Sequence, residues 1–531
     1  MPSQQWARNF TITAGDLEYL KGILLEREVP LNSEQLARAL IQEHLEQEAK
    51  LREERFRNVQ FYDPANTYQI GQKVMFPALE YATATIVGVR SGNNPDYGEF
   101  NVVTVNFDDG AAHGQPSRDF AADLSVPHKL SDENTNAANP LLIGDGLTAD
   151  EIMSAAREDI IATLEESLLG DESIILVAGT WFPRDLIVEV NIGYRNLAEA
   201  VLDMNEGGAI STQEILNEIG GLGDVPMELQ IFSMNYALSQ DSRFDEVGPK
   251  GEVLWYLARL EPQEVQKTPW PLRYTAIEYD RALLSSEMLA LEIEIADEQS
   301  PAERETPESV GDETQVTLAY PHRRAGTLPL NSKTRHIFPT ARRTPRVSLT
   351  LVDGQDGEEY SGWVVRKEKY VYGLDQFYRK HRLPVGAYVL LEKSDDPGKI
   401  IVDFEAYRPR TEYIKLVVPH NGQLSFENHR RQIGAAYDDL MILGVDDIPA
   451  VDALHESAQT GQPKTLVSIL RALIPELGKL SPQGTVHAKT LYNAVNVLRR
   501  CPPGAVFATL VANPDFQNVG GHYWKLKDAA S

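Results

Sequence analysis

The chain has 531 residues, of which 42% are hydrophobic and 24% are charged, which predicts three to five globular domains rather than one core. It has one cysteine, no run of roughly 18 to 20 apolar residues and no apolar signal core near its start. These features exclude a disulfide framework, a cysteine-based zinc site and a membrane span, and they favour a cytoplasmic location. The net charge of −28 opposes non-specific attraction to nucleic acid.

The first predicted element is a helical N-terminal segment over residues 1–60. Leu20 and Leu24 lie one helical turn apart on a common apolar stripe. Asn32 followed by Gln35 has the spacing of a capping box, so a second helix is expected to begin there. The later half of this second helix is mostly charged, which predicts exposure to solvent or docking on another domain.

Residues 66–126 are predicted to form a small β-barrel. Short β-rich runs alternate with Gly, Asn, Pro and Asp, which indicates three or four strands. The runs GQKVMFP, ATIVGVR, VTVNFDDG and RDFAADL together resemble the SH3, Tudor and KOW-like barrels of transcription and chromatin proteins. That resemblance implies either a role in transcription or use as a protein-docking adaptor. Residues 127–147 are polar and turn-rich, and we expect a linker there.

Residues 148–290 are predicted to be an acidic winged-helix domain. A helix is expected to begin at Thr148. Within residues 195–262 the pattern predicts three helices, the second of them capped at Ser211 or Thr212, and then two strands around a Gly-Pro-Lys-Gly turn. Three helices followed by a β-wing make the winged-helix plan.

The end of this domain carries a family resemblance. The motifs RFDEVG (243–248) and LWYL (254–257) resemble the winged-helix domain of the delta subunit of bacterial RNA polymerase and its HARE-type relatives. The helix in the recognition position carries only Glu228, Asp241 and Arg243 as charges, whereas binding to DNA phosphates needs Lys or Arg. This copy is therefore expected to contact protein, and the resemblance implies RNA polymerase as the partner.

Residues 291–320 are predicted to be an acidic linker. The stretch from 295 to 315 holds seven acidic residues, one arginine and no apolar period, which is typical of a solvated, disordered tether. A sharper alternative is that this stretch mimics the charge of nucleic acid and competes for the basic module that follows.

The charge of the chain changes sign abruptly at this point. Residues 141–320 carry a net charge of −26, whereas residues 321–415 carry +6. A basic module directly behind an acidic one indicates either that the basic module binds nucleic acid or that the two neutralise each other. The sequence leaves both interpretations open.

Residues 321–418 are predicted to form a basic, half-closed barrel of five or more short strands with one inserted helix. The strand WVVR (363–366) and the stretch 373–389, which includes the pairs FY and VG, resemble the DNA-binding pseudobarrel family of plant transcription factors and restriction-endonuclease effector domains. Ala387 stands where that family has an acidic residue. The resemblance implies contact with duplex DNA.

Binding to DNA phosphates needs clustered Lys and Arg, and tyrosine rings accompany the basic clusters of this module. Neighbouring residues on a strand point to opposite faces, so not every charge can reach one ligand. The tyrosines are Tyr370, Tyr372, Tyr378 and Tyr407. The predicted DNA-binding residues of this module are Arg342, Arg343, Arg346, Arg366, Lys367, Lys369, Arg379, Lys380, Arg382, Arg408 and Arg410.

Residues 419–463 are interpreted as a connector, and residues 464–531 are predicted to be a second winged helix with a Gly-Gly turn in its wing. The run GHYWKL (521–526) parallels the VLWYL of the first copy, so the chain contains two diverged copies of one unit. Trp255 and Trp524 are expected to be core residues that seal the wing. The predicted DNA-binding residues of this module are Lys489, Arg499, Arg500, Lys525 and Lys527.

The sequence contains no recognisable catalytic constellation. It lacks a phosphate-binding loop, a clustered Cys/His metal set and a nucleophile-elbow motif. His420 and His429 are interpreted as surface residues rather than metal ligands, and nothing marks Cys501 as a nucleophile. We therefore expect no enzymatic activity, no metal and no cofactor.

The expected fold class is multidomain α+β, with a helical N-terminus, a small β-barrel and two winged-helix units flanking a β-pseudobarrel. The leading hypothesis is a non-enzymatic, bacterial-type, transcription-associated protein. Its pseudobarrel and C-terminal winged helix would bind duplex DNA, and its acidic domains would contact a protein such as RNA polymerase, without any membrane contact. The alternatives are a protein adaptor without nucleic-acid binding, and the recognition subunit of a restriction or defence system.

Overall fold

The chain is a mixed α+β protein in a computed structural model that describes residues 10–56, 60–76, 79, 82–94, 98–108, 117–126, 128, 148–206, 208–304, 310–341, 344–396, 398–459 and 464–527. These residues form fourteen α-helices and six β-sheets. The chain divides into two compact units, residues 1–187 and residues 188–531. The mixed, multidomain class predicted from the sequence is confirmed.

The first unit combines a helical module with a separate five-stranded sheet. Its elements are α1 (Ala14–Arg27), β1 (Leu31–Asn32), α2 (Ser33–Phe56), β2 (Gln60–Phe61), β3 (Lys73–Phe76), β4 (Ala82–Ser91), β5 (Asn101–Phe107), β6 (Ser117–Ala122), α3 (Ala149–Leu169), β7 (Ile174–Val177) and β8 (Thr180–Pro183). Helices α1 to α3 bury their apolar stripes against one another and against the strands β1, β8 and β7. We call this assembly module A.

The composition of module A differs from the domain boundaries expected from the sequence. Residues 1–60 and 148–290 were expected in separate domains, but Leu40 of α2 and Leu164 of α3 share one core with Trp181 of β8. The physical reason is that neither apolar stripe can be buried within its own segment. The sheet β2-β3-β4-β5-β6 lies between α2 and α3 in the chain and has its own aromatic core.

The five-stranded sheet occupies the range in which a small barrel is predicted. Its core contains Tyr62, Phe76 and Phe120, with ring centroids 4.5 Å apart for Tyr62 and Phe76 and 4.4 Å apart for Phe76 and Phe120. The sheet is antiparallel except where β2 pairs with β3. Most of the predicted linker 127–147 lies outside the described residues.

The second unit begins with a helical module and continues into a large sheet. Its first elements are α4 (Ile192–Met204), β9 (Ile210–Ser211), α5 (Thr212–Ile219), α6 (Met227–Ser239), β10 (Phe244–Glu246), β11 (Leu254–Leu257), α7 (Gln263–Gln266) and α8 (Ser286–Ile295). The elements from α4 to β11 form one core, which we call module B. Capping boxes at Thr13, Thr148 and Ser211 start α1, α3 and α5, so the predicted helix starts at Thr148 and Ser211 are confirmed.

A seven-stranded sheet forms the centre of the second unit. Its elements, with two helices, are β12 (Glu313–Thr317), α9 (Tyr320–Ala325), β13 (Thr327–Pro329), β14 (Arg346–Asp353), β15 (Glu359–Val365), β16 (Tyr370–Tyr372), α10 (Asp375–Lys380), β17 (Tyr388–Lys393) and β18 (Lys399–Asp403). The strand order is β12-β17-β18-β14-β15-β16-β13. Phe377 and Tyr378 of α10 are buried in the core of this sheet.

The chain ends with a long hairpin and a third helical module. The elements are β19 (Ala406–His420), β20 (Gln423–Ala435), β21 (Leu443–Val445), α11 (Ile448–Gln459), α12 (Leu466–Gly478), β22 (Val486–His487), α13 (Ala488–Leu498), α14 (Pro503–Ala512), β23 (Phe516–Gly520) and β24 (Tyr523–Leu526). The elements from α12 to β24 are module C. The connector expected over 419–463 is therefore largely regular structure.

Modules A, B and C share one plan. Each has a helix, a short strand, two further helices and two strands, and in each sheet the last strand lies between the other two. In each module a tryptophan of the last strand is buried opposite the short strand, so the predicted core roles of Trp255 and Trp524 are confirmed. The paired residues are Leu31 with Trp181, Ile210 with Trp255, and Val486 with Trp524.

The indole nitrogens of the three tryptophans have different environments. In modules A and B the indole N–H donates to the hydroxyl of the residue that begins the second helix, Ser33 at 2.9 Å and Thr212 at 3.0 Å. In module C that position is Ala488, and Trp524 Nε1 is buried without a hydrogen-bond partner among the described residues. Module C therefore lacks the indole-to-hydroxyl hydrogen bond that modules A and B make.

The acidic stretch 291–320 is folded where the structure describes it, contrary to the disordered linker expected from its composition. It contributes the end of α8, a short helix over residues 301–304 and strand β12, while residues 305–309 lie outside the described part. Asp297, Glu298 and Glu303 are buried. These carboxylates are stable inside the fold because hydrogen-bond partners from distant segments bind them.

Candidate nucleic-acid interface

Arg500 is one of the predicted DNA-binding residues, but it lies in the interior. Its guanidinium donates to Asp297 at 2.6 and 2.9 Å and to Glu298 at 2.7 Å. His322 contacts the other oxygen of Glu298 at 3.2 Å. Burial alone would raise the pKa of Glu298, but Arg500 and His322 hold it below its usual range. This arginine neutralises buried carboxylates and cannot reach a ligand.

Arg346 is also engaged by carboxylates of the chain itself. Its Nη1 lies 3.0 Å from Asp245 and 2.7 Å from Glu261. Burial, together with the neighbouring Asp245, raises the pKa of Glu261 to about 8 although Arg346 acts in the opposite direction. The acidic module B and the basic sheet therefore neutralise each other at this point.

Two of the lysines predicted to bind DNA are likewise paired with carboxylates of the chain. Lys489 is buried, and its Nζ donates to Asp438 at 2.8 Å and also to Glu294. Lys380 lies between 2.6 and 2.8 Å from three carboxylates that surround the turn after β14. One of them is Asp353; burial would raise the pKa of this carboxyl, but its hydrogen bonds to Lys380 and to a histidine lower it to about 2.

The remaining predicted residues divide by their contacts. Those that donate to backbone carbonyl oxygens are Arg366, Lys369 and Arg499. Those that pair with a neighbouring carboxylate on the surface are Arg379 and Arg410. Those with no carboxylate within 4.0 Å in the described part of the chain are Lys367, Arg382, Arg408, Lys525 and Lys527, whereas Arg342 and Arg343 lie outside the described residues.

The third helix of each module does not have the charge that groove reading by a helix needs. Helix α14 of module C has no charged residue and packs against α8 and residues 281–283, with a Cβ at Gly504 expected only 2.5 Å from Glu292 Oε1. Helix α6 of module B carries only Glu228. Helix α3 of module A has one arginine and six carboxylates. A basic recognition helix is absent from all three.

Strands β19 and β20 form a long antiparallel ribbon that is exposed in its middle. Tyr413 lies opposite Arg430, and Thr411 lies opposite Gln432. The ribbon is held at both ends, because Ala435 belongs to the core of the large sheet and the end near the turn packs into the core of module C. Its central residues form a fixed surface rather than a free arm.

The two faces of this ribbon differ in charge pairing. On one face the basic groups meet carboxylates: Arg410 with Glu412 at 3.0 Å, His429 with Glu427 at 3.1 Å, and Arg431 with Asp446. Cross-strand partners share a face, so the other face carries a different set. This set, the tyrosine face, consists of the exposed residues Thr411, Tyr413, Asn428, Arg430 and Gln432, together with the half-buried Lys415.

The tyrosine face holds no carboxylate, and its arginine is not neutralised. Arg430 has no carboxylate within 4.0 Å among the described residues, and its guanidinium lies 5.8 Å from the ring centroid of Tyr413. A similar pair lies nearby, with the guanidinium of Arg410 4.5 Å from the ring centroid of Tyr407. Tyr413 is 68% exposed as a whole residue, although it lies in the middle of a regular strand.

The residues predicted from the sequence lie on only one strand of the ribbon. Tyr407, Arg408 and Arg410 of β19 belong to the predicted interface, but the predicted basic module ends at residue 418, and the following strand falls in the predicted connector. Arg430 was missed for that reason, whereas Tyr413 lies inside the predicted module but is not among the tyrosines singled out there. The signal available in the sequence was the polar run ENHRRQ (427–432) between two apolar strand segments, which is typical of a solvent-exposed ribbon.

No group of three or more His, Cys, Asp or Glu side chains in the described residues is arranged to hold a metal ion. His420 and His429 are both exposed, as expected. Cys501 is fully buried, and burial raises the pKa of its thiol to about 12, so it does not form the nucleophilic thiolate at neutral pH.

Comparison of the chain with protein-family models, with curated proteins and with solved structures gave no match. Within the described ranges, no helix combines the length and the apolar composition needed to cross a bilayer.

Proposed function

We propose that this chain is a non-enzymatic, transcription-associated DNA-binding protein whose contact with nucleic acid is the tyrosine face of the ribbon β19–β20. The observation that carries this proposal is the contrast between the two faces of the ribbon. Several basic groups elsewhere in the second unit are neutralised by carboxylates of the chain. Arg430 has no such partner among the described residues, and it lies beside the exposed Tyr413. Arginine and aromatic side chains on one rigid surface are the groups that bind phosphates and bases.

In this proposal modules A, B and C are winged-helix units that contact protein. None of their third helices carries a net positive charge, and module B carries the motifs that resemble the delta subunit of bacterial RNA polymerase. RNA polymerase is accordingly the proposed protein partner. The seven-stranded sheet acts as the pseudobarrel-like scaffold that holds one end of the ribbon.

A protein adaptor without nucleic-acid binding is the second candidate function. The observation that favours it is the internal neutralisation of Arg346, Lys489 and Arg500, three residues whose charge first suggested DNA contact. Under this alternative the exposed arginines of the ribbon contact an acidic protein surface instead.

The test is fluorescence anisotropy of labelled DNA, single-stranded and duplex, titrated with the full chain across a salt series. The variant Arg430→Ala removes the exposed positive charge of the tyrosine face, and the matched control Lys367→Ala removes an exposed charge outside the ribbon. We expect Arg430→Ala to weaken binding and to lower the slope of log affinity against log salt by about 1, since each phosphate contact contributes about 1. Absence of binding by the unmodified chain would favour the adaptor, and equal effects of both variants would remove the tyrosine face from the interface.

A further inference from the structure

The tyrosine face has a geometry that suits unpaired bases better than a closed duplex. Its central ring, Tyr413, projects from the middle of a strand and is 68% exposed. Every base has a planar face that can stack on such a ring, but in a duplex both faces of a base are already covered by its neighbours. An exposed ring on a fixed surface therefore gains a contact from a single strand that a duplex does not offer.

The residues around the ring supply the other contacts that a single strand needs. Arg430 lies directly across from Tyr413 and can bind a phosphate or stack on the next base. Thr411, Asn428 and Gln432 flank the pair on the same face, and none of them makes a side-chain hydrogen bond to another described residue. Their hydroxyl and amide groups can both donate to and accept from base edges.

The attachment of the ribbon also disfavours entry into a groove of a duplex. Ile414 and Ile433, on the face opposite Tyr413, are buried in a cluster with Ile442. Val417 and Phe426, on the same face as Tyr413 but nearer the turn, are buried in the core of module C. A ribbon that is held on both sides presents a platform and cannot insert its turn or both faces into a groove.

We infer that the tyrosine face binds single-stranded nucleic acid by stacking a base on Tyr413, and that it prefers a single strand to a duplex. The inference depends on the proposed function, because it names the form of nucleic acid that the same surface takes. Stacking on an aromatic side chain changes affinity by about ten-fold per base, so one ring is sufficient for a measurable preference.

The test uses the full chain and three fluorescein-labelled probes of equal length: oligo-dT, oligo-rU and a mixed-sequence DNA duplex. Tyr413→Leu removes the ring, Tyr413→Phe retains it, and Tyr523→Leu removes a partly exposed tyrosine of module C as the matched control. We expect single strands to bind about ten-fold more tightly than the duplex. Tyr413→Leu should abolish that preference, while Tyr413→Phe and Tyr523→Leu should retain it. The comparison of oligo-dT with oligo-rU shows whether DNA or RNA is the better strand.

The possible outcomes separate the inference from the proposed function. If the duplex binds as tightly as the single strands, or if Tyr413→Leu weakens both to the same extent, stacking on Tyr413 is refuted while nucleic-acid binding stands. If none of the probes binds the unmodified chain, the proposed function fails, and this inference fails with it. Unchanged thermal unfolding of Tyr413→Leu is expected, because the ring is mostly in solvent, and it verifies that lost binding is not lost folding.

Discussion

Removing the hydroxyl of Ser33 measures how much the hydrogen bond to the buried tryptophan contributes to the stability of module A. Ser33 and Trp181 are both fully buried, and Ser33 Oγ accepts the indole N–H at 2.9 Å while donating to Glu165 Oε1 at 2.6 Å. The substitution Ser33→Ala removes both hydrogen bonds and leaves the indole N–H without its acceptor. Module A would then have the same unpaired indole that module C has at Trp524.

The expected cost follows from these contacts. A buried donor without a partner costs about 1 to 3 kcal/mol. Glu165 is only partly buried, so water can replace the donor that it loses and adds little to the cost. We therefore expect Ser33→Ala to destabilise module A by about 2 kcal/mol, with a coupling of about 1 kcal/mol between Ser33 and Trp181 in a double-mutant cycle with Trp181→Phe.

Hydrogen exchange is the appropriate assay because a chain with several modules does not unfold in one step. Amides of α2 and β8 that exchange through opening of module A should exchange about thirty-fold faster in Ser33→Ala, the equivalent of 2 kcal/mol. The exposed Ser154→Ala on α3 is the matched control and should leave these rates unchanged. An equal cost of Ser33→Ala with tryptophan or phenylalanine at 181 would refute the role of the indole hydrogen bond.

Three further outcomes are expected. Ala488→Ser offers the indole of Trp524 an acceptor, and it should slow hydrogen exchange in module C by the equivalent of about 0.5 to 1 kcal/mol, whereas faster exchange would mean that the hydroxyl does not reach the indole. Arg500→Met leaves the buried Asp297 and Glu298 without their arginine and should cost about 3 to 5 kcal/mol, measured as faster hydrogen exchange of the surrounding amides. Arg499→Met, which loses one contact to a backbone carbonyl, should cost far less. Burial raises the pKa of Glu261 to about 8 in the fold. Between about pH 4.5 and 8 the folded chain therefore holds a proton on Glu261 that the unfolded chain has lost, and the stability should fall as pH rises through this range. Glu261→Gln should flatten that part of the profile of melting temperature against pH, whereas a profile parallel to that of the unmodified chain would contradict the assignment.

Local patterns predicted local structure well. The capping box of Asn32 and Gln35 is present, with both backbone-to-side-chain hydrogen bonds at 2.8 Å. The helix starts at Thr148 and Ser211 and the buried wing tryptophans also follow from short motifs. These features depend on residues within about four positions of each other, or on one large apolar side chain that has to be buried.

Module A was not recognisable from the sequence as a copy of the same unit. Its first two helices and its last helix are separated by the five-stranded sheet and by the stretch 127–147, so no window of the sequence contains the whole unit. The tryptophan in TWFP (180–183) occupies the same register as those in the other two modules. Without the strand pairing, however, a single tryptophan in a short apolar run carries no information about a repeat.

The assignment of the basic residues failed for a different physical reason. Arg500 and Asp297 are 203 residues apart in sequence, and Arg346 and Glu261 are 85 apart. Whether a surface-type residue is exposed or buried against an opposite charge is decided by tertiary packing, which charge counts cannot show. The acidic composition of 291–320 is misleading in the same way, because its carboxylates are retained by partners that lie far away in the sequence.

The charge distribution of the folded chain also affects how binding at the ribbon should respond to salt. At physiological ionic strength the Debye length is about 8 Å, so a bound strand senses mainly the charges close to the tyrosine face and little of the net −28. At low salt the screening length grows, and the acidic remainder of the chain repels the same strand. Counterion release favours binding at low salt, while this long-range repulsion opposes it. The slope of log affinity against log salt for the full chain should therefore be shallower than the number of ribbon arginines alone would give. The repulsion is common to Arg430→Ala and its control Lys367→Ala, so it cancels in the difference between their slopes. That difference gives the number of phosphate contacts that Arg430 makes.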